Sequence, residues 1–138
     1  IETNKTNKEL KHSVLKTIVS FANSGGGTLL IGVSDNHKII GLEQDYKSNW
    51  KENKDGFLLE FRKYLQNTIG LTEFNRYVDL EFHNLEGKEI LEITVERALR
   101  PIYMKMNGSK VLYIRDENRN EPLTDAEEIN EYVKENWD

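Results

Sequence analysis

Gly25-Gly26-Gly27 separates a run of helical periodicity from a run of β-branched and aliphatic side chains, and that order limits both fold and chemistry. Upstream, Leu10, Val14, Leu15, Ile18, Val19 and Ala22 recur at helical intervals, which predicts a helix from about Asn7 to Asn23 with one buried face. Thr6 and Glu9 have capping-box spacing at its start, and Ile1 to Thr6 has no period. Downstream, Thr28 to Val33 is apolar on both faces, as expected of a central strand covered on each side. Phosphate loops run strand, glycines, helix, which aims free helix amides at the anion. Here the order is reversed, so the glycines meet a helix C-terminus whose partial charge is negative. The glycines therefore read as a left-handed helix stop with close helix-to-strand packing behind it. ATP gains no support from them, and no cofactor is expected.

Asp35-Asn36 supplies turn chemistry, with Lys38 to Leu42 as the returning strand of a hairpin and Glu43 to Asp55 as a polar loop. Phe57, Leu58, Phe61, Leu65 and Ile69 mark a second amphipathic helix that stops near Gly70. Val78, Leu80 and Phe82 then alternate with Asp79, Glu81 and His83, and Leu91, Ile93 and Val95 with Glu92, Thr94 and Glu96, around a Glu86-Gly87 turn. Arg100-Pro101 breaks the second of these strands, and Ile102 to Met106 and Val111 to Arg115 form a further hairpin around Asn107-Gly108-Ser109. A polar loop from Asp116 to Glu121 leads to Thr124 and Glu127, a second capping box, and to the stripe Ile129, Tyr132, Val133, Trp137 of a closing helix. The expected architecture is one α+β domain, with about three helices packed on a mixed or antiparallel sheet.

The length of 138 residues suits one domain. Cysteine is absent, which excludes disulfides, thiolate metal sites and cysteine nucleophiles. With no long apolar run or signal-peptide pattern, a cytoplasmic protein without a membrane partner is the expectation. The net charge of −5 argues against coating nucleic acid by bulk electrostatics, but the segment from Arg97 to Arg119 carries +4, leaving −9 elsewhere. Within it, Tyr103, Lys105, Lys110, Tyr113 and Arg115 interleave rings with positive charge, as a surface that stacks bases and neutralises phosphates would. Asp35 follows a buried strand, where a carboxylate can serve catalysis or a metal, but metal-assisted phosphodiester cleavage needs at least a second acidic ligand. Glu2, Glu43 and Asp45 are candidates that spacing does not separate. His12, His37 and His83 read as structural, each without a partner at ligand spacing, and no Ser/His/Asp set can be assembled.

From Leu15 through Val33, with Asp35 and Ile40-Gly41-Leu42 after it, the chain resembles the Schlafen AlbA-like domain. The likeness continues through Asp55-Gly56-Phe57, Arg100-Pro101-Ile102-Tyr103, Tyr113-Ile114-Arg115, Pro122-Leu123-Thr124 and Glu131-Tyr132-Val133. The resemblance implies a nucleic-acid-binding module of bacterial proteins, often labelled ATP-binding or transcriptional regulators, related to a ribonuclease core. Schlafen-type nucleases set glutamates from an upstream strand beside an aspartate, and Asp35 matches that aspartate. The upstream strand has no counterpart here, so residues 1–138 are expected to be part of a longer protein; an alternative register makes Glu2 the family glutamate. The family's Gly-x-Ser/Thr after the Tyr-x-Arg strand is replaced by Asp116-Glu117-Asn118-Arg119-Asn120.

Three functions follow as expectations. The first is a DNA- or RNA-binding module of a bacterial regulator or defence protein, with Lys105, Lys110, Arg115 and Arg119 on phosphates and Tyr103 and Tyr113 stacking or supporting them. The second is a metal-dependent ribonuclease, or its inactive remnant, using Asp35 as the catalytic and metal-binding carboxylate. The third is an assembly module that forms a homo-oligomer through an exposed sheet edge.

Overall fold

A computed structural model describes residues 7–33, 41, 54–106 and 108–137. Its elements are α1 (Asn7–Ala22), β1 (Gly27–Ile31), α2 (Lys54–Ile69), α3 (Leu71–Tyr77), β2 (Val78–Leu85), β3 (Lys88–Val95), β4 (Met104–Met106), β5 (Ser109–Asp116), β6 (Arg119–Leu123) and α4 (Ala126–Trp137). The α+β expectation holds; the described residues form four helices and two three-stranded antiparallel sheets, ordered β1-β3-β2 and β4-β5-β6.

The first sheet shows what period-two patterning does. Register places Leu29, Ile93 and Leu80 in one row and Ile31, Leu91 and Phe82 in another, all joined to the core. The intervening rows, Thr28, Thr94, Asp79 and Leu30, Glu92, Glu81, belong to the opposite face. The expectation that β1 is covered on both faces is overturned at Leu30, which is 39% exposed; among the described residues β1 pairs with β3, which has a neighbour on each side. The returning strand at Lys38 to Leu42 and most of the loop after it lie outside the described residues, as do Thr6 and Asp35. Glu86 and Gly87 both have positive φ, 54° and 78°, as the tight hairpin between β2 and β3 demands.

The central helix is α1, which packs against β1, β3, β5, β6 and α2. Val14, Leu15, Ile18, Val19 and Ala22 are at most 2% exposed, and Thr17, Ser20 and Asn23 are buried beside them, so its C-terminal half is enclosed on nearly all sides. One apolar cluster joins it to Phe57, Phe61 and Leu65 of α2, to the inner face of the first sheet, and to Val111 and Tyr113 of the second. The rings of Phe57 and Phe61 stack with centroids 5.6 Å apart.

Three sequence expectations are corrected. The segment Asp116 to Glu121 is a tight hairpin rather than a loop: Asp116 pairs with Arg119, Glu117 takes a φ of 58°, and β6 continues to Leu123. Helix α3 was not anticipated; it has only seven residues and buries Phe74 and Tyr77. The cap of α4 is Asp125 rather than Thr124, since the Glu128 amide donates to Asp125 Oδ2 at 3.2 Å.

Candidate nucleic-acid interface

The second sheet is positioned by the end of α1. Gly26 turns the chain with a φ of 78°, its amide donating to Phe21 O at 2.8 Å, and a Cβ there would lie 2.7 Å from Val95 O. Gly27 lies against the Phe21 ring, where a Cβ would come within 2.8 Å. Just before this turn, Asn23 is fully buried, and its side chain serves two distant segments. Its Nδ2 donates to Ile102 O at 2.8 Å and Tyr113 O at 2.9 Å, and its Oδ1 accepts from Ile102 N at 2.8 Å. Ser24 Oγ accepts from the Arg115 amide at 2.9 Å. A buried amide with all three bonds made fixes both segments more firmly than apolar packing alone. The chain entering β4 and the middle of β5 are thereby held to one helix end. Two further contacts attach α4: Tyr132 Oη donates to Asn23 O at 2.6 Å, and Arg97 donates to Ser24 O and Asn136 O.

From this anchor, register decides which side chains share a surface. Lys105 faces Lys110 directly across β4 and β5. Tyr103, two residues before Lys105, falls on the same side, 37% exposed, with Lys110 Nζ 6.0 Å from its ring centroid. A hollow of about 250 Å³ is lined by Arg100, Tyr103, Lys105 and Lys110, with Ile69, Pro101 and Ile102 as its apolar wall and Glu73 as a carboxylate. A second hollow of about 390 Å³ is lined by Leu15, Asn67, Thr68, Met104 and again Tyr103 and Lys105. Two ammonium groups directly opposed across strands repel each other, and an anion between them would turn that repulsion into attraction.

The other anticipated residues are elsewhere. Val111, Tyr113 and Arg115 occupy the opposite side of β5, so the six candidates do not form one interleaved surface. Tyr113 is 7% exposed and belongs to the core, with Lys16 Nζ 5.7 Å from its ring centroid. The Arg115 guanidinium lies 5.1 Å from the Phe21 centroid and donates to Asn120 Oδ1 at 2.7 Å. Arg119 is paired with Asp116 at 3.3 Å and Glu121 at 3.7 Å. Arg100, Glu73 and Asn23 were missed by sequence reasoning. Asn23 was the most accessible of these, because it stands four residues after Val19, on the apolar phase of α1. Asp35, Glu2, Glu43, Asp45 and His37 lie outside the described residues.

His83 requires a correction. Its Nε2 is 3.2 Å from Glu92 Oε1, and Glu81 stands directly across from Glu92, so it has two carboxylate neighbours. Glu81 was visible as a same-face neighbour, but Glu92 joins only through the pairing of β2 with β3.

A family model described as Schlafen, AlbA_2 matches residues 1–124. The chain belongs to the Schlafen AlbA_2 family. That family is associated with nucleic-acid binding. The motif Asn23-Ser24-Gly25-Gly26-Gly27, by which the chain resembles other Schlafen AlbA-like domains, is the anchoring turn described above, and it contacts the two later motifs at Ile102 and Tyr113. Among solved structures, the DIP2311 protein from Corynebacterium diphtheriae is similar, with 24% identity and a TM-score of 0.65 over 99% of this chain. That likeness concerns the fold, and the chain spans about a quarter of that protein, 24%. No functionally curated protein matches significantly. Among the described residues of this AlbA_2 chain, no helix is long and apolar enough to cross a membrane.

Proposed function

We propose that this chain is a nucleic-acid-binding module that takes DNA or RNA through the groove between α3 and the β4-β5 hairpin, within a longer regulator or defence protein. The observation that carries the reading is the direct opposition of Lys105 and Lys110 beside the exposed Tyr103 ring and Arg100. Phosphates bring the negative charge that this cluster lacks, and an unpaired base has a face to set against Tyr103. Arg115 and Arg119 already have partners and contribute less. Glu73 gives one wall a hydrogen-bond acceptor, suited to an amino group on a base edge.

The test is the salt dependence of binding to short DNA and RNA oligonucleotides. Each phosphate contact contributes about 0.7–0.9 to the slope of log affinity against log salt. Replacing both Lys105 and Lys110 by alanine is expected to lower that slope by roughly two such contacts, while Tyr103→Ala weakens binding with little change in slope. Absence of binding at low salt, or an unchanged slope in the double variant, overturns the proposal.

A further inference from the structure

Glu81, His83 and Glu92 stand together on the outer face of the first sheet and share no residue with the groove. We propose that they bind a first-row divalent cation of the zinc or cobalt(II) class. Three observations support it. The donor atoms of all three lie within 4.8 Å of one another. Ligands on one ion with bonds near 2.1 Å are separated by roughly 3.5 Å, so small side-chain rotations complete the set. Glu81 faces Glu92 in direct cross-strand register, a like-charge pairing that destabilises a sheet. His83 Nε2 reaches one oxygen of Glu92, but a single proton cannot offset two carboxylates as a dication can. The backbone is also suitable, because Glu92 is on β3, the strand paired on both sides.

The donor set selects the class of ion. One imidazole nitrogen with two carboxylates suits zinc, cobalt or manganese, whereas calcium takes six to eight oxygens and magnesium keeps its water. His83 and Glu92 are about one-third exposed, with side-chain accessibilities of 38% and 34%. The ion would therefore be exchangeable, with its remaining positions open to water.

The experiment titrates the 138-residue chain with cobalt(II), following its visible absorption, and displaces it with zinc. One cobalt per chain is expected, displaced by zinc and retained in tenfold excess magnesium. His83→Gln and Glu92→Gln should each weaken binding at least tenfold with the far-UV circular dichroism unchanged. Should either variant fail to fold, Glu81→Gln at the exposed position gives the same readout. No saturable binding by the folded chain, displacement by magnesium, or unchanged affinity in the variants overturns the proposal.

Discussion

Replacing Asn23 by alanine removes three buried hydrogen bonds, those from its Nδ2 to Ile102 O and Tyr113 O and that from Ile102 N to its Oδ1. Ile102 N–H and C=O lose these partners, and each buried group so orphaned costs about 1–3 kcal/mol, so the loss should reach at least about 2 kcal/mol, read from the urea midpoint. Asn23→Asp should cost more, because a carboxylate cannot donate to either carbonyl and would be buried charged. The sequence places Asn23 on the inward face of α1, but its partners are 79 and 90 residues away, and no local pattern reports such a pairing. The same limit governs Tyr113, whose alternation puts it in line with Arg115 without saying which face is covered. The opposition of Lys105 and Lys110 was not legible either: a three-residue turn at Asn107-Gly108-Ser109 sets Met106 opposite Lys110, whereas Ser109 itself pairs with Met106 and shifts the register by one.

At the scale of elements, periodicity was informative where runs were long. The second helix and both long strands of the β2-β3 hairpin appear where alternation places them. Short elements were not readable: the seven residues of α3 fall below the window in which a helical period shows. Strand β6 was hidden because Glu117, rather than glycine, takes the positive φ of its turn, and Pro122 sits within the strand. A short apolar run such as β1 likewise does not reveal whether both of its faces are covered, and Leu30 is exposed. The cap of α4 separates two candidates one residue apart. Asp125→Ala should lower stability by about 1 kcal/mol, whereas Thr124→Ala should change it by less than about 0.5 kcal/mol, both measured by thermal unfolding.

For the molecule as a whole, a single apolar cluster draws on α1, α2, α3 and both sheets, so neither sheet has a core of its own. Heat should unfold the chain in one transition, with the calorimetric enthalpy equal to the van't Hoff enthalpy and near- and far-UV signals coincident; two transitions would mean that the sheets part independently. Charge is divided as the composition suggests, with Lys105, Lys110 and Arg100 around one groove and Asp79, Glu81 and Glu92 on the first sheet's outer face. The Asn23 anchor also bears on how the protein is made. Its Tyr113 partner is added 90 residues later, which at 5–20 residues per second is roughly 5–18 s of synthesis. Throughout that interval the newborn helix carries an interior-facing amide whose full set of mates has not yet been translated, so the second sheet can be fastened to it only near the end of manufacture.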